Sequence, residues 1–514
     1  MTVLPLRASE PPRLIVNITA GTLTADALER YAAKFEDGGL RKLLDEGAVF
    51  TNAAYDCMQT LTPVSLATLS TGAQPEIHGV ISDKWYDHTT GQPTDLTEDS
   101  HSADFERRES RFGHSPRQLT TPTISDLLMR ADSSSRILSL ALTPRSSIVQ
   151  NGRRGFCFWL DSDRCRWTTS TYYTPVLPNW VKSYNAEDLH ARFLTGEWVA
   201  KHNRANYANS RSTLLFAENN TPQKGKKPTA AATSDFIKVS RTPIGNTLLF
   251  DFAKYAVKCL NMGNDEHPDI LNICLDTAEN IARRYGTESV EFEDMIYRLD
   301  SDLREFLAYL NVHLKGSQSL VVVFTAAHGS APAADIDGKP RDRFNPAQFG
   351  VIMNAYLNAR YGAGAWVRGY SDRSLYLNRD LIDERHLTLT EVQNTAAAFA
   401  LRFRGVAHAL SAWQLQSGYF GEGYGGKMQR SFYPRRSGDV VIDLMPEWTE
   451  ECDDTITLSG SFYAYDTRVP LIFCGTGIAA QRRDENVSMT SVAPTIARLL
   501  GIEIPAADGK PLDL

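Results

Sequence analysis

Five short apolar runs punctuate the chain: residues 13–19 (RLIVNIT), 136–142 (RILSLAL), 270–275 (ILNICL), 320–324 (LVVVF) and 469–474 (VPLIFC). Each is strand-sized and apolar almost throughout, rather than at alternate positions, which is the pattern of a strand covered on both faces. Between or beside the runs lie stretches with apolar residues at three- and four-residue steps. Residues 28–46 follow the first run, 290–315 precede LVVVF, and 490–500 come near the end of the sequence. Strands alternating with helices predict an α/β fold with a doubly wound, mostly parallel central sheet and helices on both of its faces.

Two regions break this rhythm. Residues 155–265 are rich in aromatic and polar side chains and include a Lys/Pro/Ala/Thr-rich stretch, 219–234, that reads as an exposed loop. Residues 335–436 mix helical and strand-like patterns and hold the Gly-rich segment GYFGEGYGG at 418–426. Both are expected to be insertions capping the sheet's ligand-binding edge. The rest forms the core of a single domain, 13–154, 266–334 and 437–514.

With 514 residues, 42% of them hydrophobic and 22% charged, the chain has ordinary globular composition. A formal charge of −7 gives no global attraction to nucleic acid. No run approaches the roughly 20 apolar residues of a membrane-spanning helix. The first residues, MTVLPLRASEPP, lack the apolar segment of a secretory signal, so a cytoplasmic protein is expected if Met1 is the native start. The seven cysteines have no zinc-ribbon spacing, and an odd count leaves at least one unpaired within the chain. Cys274 and Cys474 read as buried thiols, and Cys157 and Cys165 as candidates for a local disulfide in an oxidising compartment.

Ligands of open parallel sheets bind at the carboxyl ends of the strands, which directs attention to residues 20–22, 143–145, 276–283 and 325–329. Thr62-Pro63 adds a helix start, with Thr62 as N-cap and Pro63 as first helical residue. That arrangement favours an anion near the helix N-terminus. From spacing alone Thr62 is more often a simple cap, and His328 more often a structural histidine.

Longer motifs carry more. LSTGAQPEIHGVISDKWYD (69–87), WTTSTYY (167–173) with LPNWVKSYN (177–185), EFEDMIYRLDSDLREFLAYL, RSGDVVIDLMPEW, YDTRVPLIFCGTGI and TSVAPTIARLLGIEIP occur in one order along the chain. In that order they resemble the bacterial phosphate-irrepressible alkaline phosphatases, in the type I phosphodiesterase/nucleotide pyrophosphatase branch of the alkaline phosphatase superfamily. The resemblance implies a two-zinc phosphoester hydrolase, periplasmic or cell-surface. Three Asp and three His would hold the metals, and a Thr or Ser would attack phosphorus.

Carried over position by position, most of that metal set is replaced. Gly21 stands at the first Asp; Glu279 and Arg283 stand at the Asp and His of D-x-x-x-H. Ala327-His328 replaces an Asp-His pair, and Arg468 the last His. Arginine stays protonated and cannot ligate, and a catalytic zinc takes at least three protein ligands. The expectation is therefore no bound cofactor, with Glu279 and His328 as the remaining metal candidates. On the substrate side, Thr62 matches the nucleophile and Arg145 the phosphate-binding Arg. Asp83 replaces a phosphate-contacting Asn, and Thr143 replaces a Lys.

Two arrangements of the charges follow. Arg145, Arg283 and Arg468 line a basic cleft for a phosphate, sulfate or carboxylate, or Asp83 and Glu279 neutralise the arginines internally. The second is favoured, because Glu279 and Arg283 are four apart on a helix. The functional expectation is a pseudophosphatase acting as a binding or structural module for a small anion or phosphorylated ligand. An active phosphomonoesterase or phosphodiesterase, with one zinc on His328, Glu279 and either Asp276 or Asp26, is the alternative. A metal-free transferase or hydrolase relying on arginine electrostatics is a third reading. No protein partner is indicated.

Overall fold

The computed structural model describes residues 11–105, 112–209, 211–212, 214–216, 235–316, 319–332, 343–452 and 455–514. The loop expected at 219–234 lies outside them. A nine-stranded sheet forms the centre. Its strands, in chain order, are β1 (Leu14–Thr22), β2 (Ala48–Ala54), β3 (Ile137–Leu140), β4 (Phe156–Leu160), β5 (Trp167–Thr168), β6 (Asp269–Leu275), β7 (Leu320–His328), β8 (Leu471–Gly475) and β9 (Gln481–Ser488). In space they run β9-β2-β8-β7-β1-β6-β3-β4-β5. The middle pairs are parallel, whereas β8 is antiparallel to both β7 and β2, and β5 to β4.

The five apolar runs all became strands of this sheet, because only a position covered on both faces accommodates an unbroken run such as LVVVF. Four further strands were not expected. β9 reads QRRDENVS and lies at one edge, where charged side chains face water and discourage pairing with another chain. β4 and β5 lie inside the segment expected to be the first insertion, so the sheet extends into it. The helix expected over 28–46 is interrupted. It divides into Ala25–Tyr31, a 3₁₀ turn Ala32–Lys34, and Leu40–Glu46. The break contains Gly38 at φ 91°, a left-handed backbone that a helix interior cannot hold.

The second insertion carries its own four-stranded sheet, in the order Val367–Ser371, Ser374–Leu377, Val440–Leu444, Val406–Ser411. Its separate apolar core includes Phe349, Trp366, Leu375 and Ile442. Val440–Leu444, expected in the main core, belongs to this cap. All seven cysteines are free thiols, so Cys157 and Cys165 do not pair. Among the described residues no helix is long and apolar enough to cross a membrane.

Register brings the site together. β1 lies between β6 and β7, pairing Ala20 with Leu275 and Thr22 with His328. The carboxyl ends of the three central strands therefore finish at one level, beneath the cap.

Candidate functional site

Helix α1 (Thr62–Thr71) begins at this level, and all ten of its residues are buried. Thr62 is its first helical residue, not the cap expected from the sequence; Leu61 takes the cap position and offers no side-chain acceptor. The Thr62 hydroxyl is thereby released from the backbone. It donates to Glu279 Oε2 at 2.7 Å and lies 3.1 Å from His328 Nε2.

Glu279 is placed by helix α3 (Asp276–Tyr285), which starts directly after β6; between α1 and α3 in the chain lies α2 (Pro144–Asn151). Burial alone would raise the Glu279 pKa. Arg145, His328, Arg283 and the Thr62 hydroxyl together outweigh it and hold the group at about 2. His328 ends β7, with Nδ1 at 2.6 Å from the Gly329 carbonyl. Burial depresses its pKa, with Arg283 and Arg145 acting in the same direction against Glu279 and Gly329. A neutral ring donating from Nδ1 leaves the Nε2 lone pair facing Thr62.

Arg145, in the first turn of α2, reaches across to Asp83, with which its Nη1 forms a hydrogen-bonded ion pair, and to Glu279 at 3.6 Å. Burial raises the pKa of Asp83, as do Glu279 and Asp95, with Arg145 opposing. Arg283 Nη1 lies 3.3 Å from Glu279 Oε1, one turn along α3. Thr62, Asp83, Arg145, Glu279, Arg283 and His328 thus line one cavity of about 270 Å³.

Arg468 does not join them. Its Nε donates to the Thr51 carbonyl and its Nη1 lies 3.1 Å from Asp26, beside a second cavity of about 230 Å³. The basic cleft of three arginines is therefore reduced to two, both already engaged by carboxylates. Asp276, the other alternative ligand, accepts from the Leu142 and Thr143 backbone N–H groups and from Ser146 Oγ. It fastens the start of α2 to that of α3 and does not line the cavity.

Sequence reasoning missed the cavity's far wall, formed by Asp372 and Arg373 at a hairpin tip of the cap and by Glu450, Glu451 and Cys452. The only available signal was the polar pair Asp372-Arg373 between two strand-like stretches, which marks a turn without revealing what it faces.

A family model described as type I phosphodiesterase / nucleotide pyrophosphatase matches residues 16–457. The chain belongs to that family. Alkaline phosphatase PafA of Elizabethkingia meningoseptica is 28% identical over 98% of this chain and 94% of its own length. A protein of Myroides odoratus named calcium-transporting ATPase is 29% identical, over 98% and 94%. The crystal structure of wild-type PafA superposes with a TM-score of 0.89 at 27% identity, over 98% of this chain and 99% of that one. The fold is accordingly that of an alkaline phosphatase.

These relatives correct one expectation, that of no cofactor. They include alkaline phosphatases, the metal-dependent class that the sequence resemblance itself identifies with zinc, so a metal ion belongs to the family's chemistry. The residues able to contribute here are Glu279, His328 and the Thr62 hydroxyl. They do not fit the full two-zinc set: among the described residues no three His, Cys, Asp or Glu side chains converge. At Gly21 there is also little room for a ligand side chain, since a Cβ there would stand 3.0 Å from Glu279 Cβ and 3.2 Å from the Leu275 carbonyl.

Proposed function

We propose that this family member uses the Thr62 cavity to bind a phosphoanion, and that ester hydrolysis has been given up there. One observation carries the reading. The Thr62 hydroxyl has two potential bases within reach, and both have been made weak. A general base works best with a pKa near the operating pH. Glu279 is held at about 2, and burial lowers the pKa of His328, so each is a weaker proton acceptor than the same group in water. Arg145 supports the binding half of the proposal, because a ligand phosphate can replace Asp83 as its partner.

A second reading, an active phosphomonoesterase or phosphodiesterase with a rebuilt site, has support of its own. Its nucleophile position is intact and in direct contact with a carboxylate and an imidazole, and several relatives are named alkaline phosphatases. Turnover of p-nitrophenyl phosphate and bis-p-nitrophenyl phosphate, by full-length protein supplied with excess zinc, separates the two. The proposal expects rates indistinguishable from those of Thr62→Ala. Turnover lost in both Thr62→Ala and His328→Ala establishes the second reading.

A further inference from the structure

Asp83 stands beside the place an incoming oxyanion has to take. Its side chain is 33% exposed and lines the cavity, and its Oδ2 accepts from Arg145 Nη1. Oδ1 is buried, so the carboxylate oxygen offered to the cavity is Oδ2. An ionised carboxylate oxygen has two acceptor positions, and Arg145 fills one of them.

Neither partner is free to move aside. The Asp83 carbonyl accepts from the Leu96 N–H at 2.9 Å, and the next residue, Lys84, pairs with Asp95 in a short hairpin of Lys84–Tyr86 with Pro93–Asp95. The Lys84 carbonyl accepts in turn from Ser82 Oγ and, at 2.9 Å, from Ser371 Oγ of the cap. Arg145 sits in the first turn of α2, whose start Asp276 fastens through the Leu142 and Thr143 N–H groups. An anion oxygen that reaches the Arg145 guanidinium therefore lies against the Asp83 carboxylate.

Two ionised oxygens in such contact repel, whereas a hydroxyl on the ligand turns the contact into a charge-assisted hydrogen bond. The neighbouring groups do not supply the proton. Thr62 donates its own to Glu279, and the remaining contacts of that carboxylate are with Arg145 and Arg283, which already neutralise it. The proton has to arrive with the ligand.

Resting on the phosphoanion reading above, we propose that Asp83 makes the site selective for oxyanions that carry a hydroxyl of their own, hydrogen phosphate or a monoester in its monoanionic form, against sulfate and phosphodiesters, which carry none. The test titrates inorganic phosphate and inorganic sulfate into the full chain by calorimetry at about pH 8, well above the ordinary range of an Asp carboxyl. Both probes are then chiefly tetrahedral dianions of similar size, and only phosphate retains a hydroxyl. Phosphate is expected to bind roughly tenfold tighter or more, the range of a hydrogen bond to a charged group. In Asp83→Asn the side-chain amide can accept from phosphate or donate to sulfate, so the ratio should fall close to one through a larger gain for sulfate. Equal affinities in the parent protein, a measurement that stands whether or not the variant folds, overturn the proposal and leave the phosphoanion reading in place. A preference for phosphate undiminished in Asp83→Asn does the same. Binding of neither anion overturns both.

Discussion

Asp83 decides how available Arg145 is to a ligand. The pair is direct, and the second carboxylate oxygen of Asp83 is buried without a partner, so the residue gains little beyond neutralising the guanidinium. Asp83→Asn removes a negative charge from the place where phosphate oxygens would stand and keeps the side chain's shape. Affinity for inorganic phosphate should rise roughly tenfold, equivalent to about 1.4 kcal/mol, in an isothermal titration at neutral pH. An unchanged dissociation constant would argue against Arg145 as an anion contact. At the same scale, the charge exchange foreseen from the sequence was correct in kind for Glu279 and Arg283, which face each other at 3.3 Å. It was not so for Arg468, whose long side chain had a nearer carboxylate in Asp26.

Among the elements, the end of β7 is the least tolerant junction near the site. Gly329 donates its N–H to the Asp466 carbonyl at 2.8 Å, and a Cβ added to it would stand 1.9 Å from the Tyr465 carbonyl. Gly329→Ala should destabilise the protein by about 3 kcal/mol, at the upper end of overpacking costs, and displace His328 with it. Equilibrium denaturation gives the first effect directly; a midpoint equal to that of the parent would show that the 464–467 segment yields easily. What could be read from the sequence at this scale follows from burial. β6 and β7 were legible because both faces are covered, which allows apolar residues at successive positions, as in LVVVF. β9 was not, since an edge strand needs no apolar face, and its pairing with β2 is a fact of tertiary structure alone. The near wall of the cavity was legible through motifs close to strand ends. The far wall was not, because Asp372 and Glu450 become neighbours of Thr62 only when the cap folds down on the sheet.

For the whole molecule, burial of carboxyl groups sets the pH dependence of stability. Asp302 and Asp466 are pushed up to about 7 and Asp269 to about 6, in each case chiefly by desolvation. A carboxyl whose folded pKa exceeds its unfolded value binds more protons when folded, so its contribution is full below the unfolded pKa and is lost as pH rises through the folded one. Glu279 acts oppositely: its contribution is present above its unfolded pKa and disappears as pH falls toward about 2. Between about pH 4 and pH 7 the raised groups dominate, and the thermal midpoint should decline over that window. Asp302→Asn, remote from the cavity and bonded to Thr247, should flatten the decline. A midpoint that climbs from pH 5 to pH 7 would contradict this assignment.

The tight packing at Gly21 also sets what a carboxylate installed at that position would meet. Strand β1 and helix α3 approach so closely there that any side chain meets backbone as well as Glu279. An aspartate placed at residue 21 therefore requires β1 and α3 to separate by a few tenths of an ångström, and its cost in stability is set by how readily they do so.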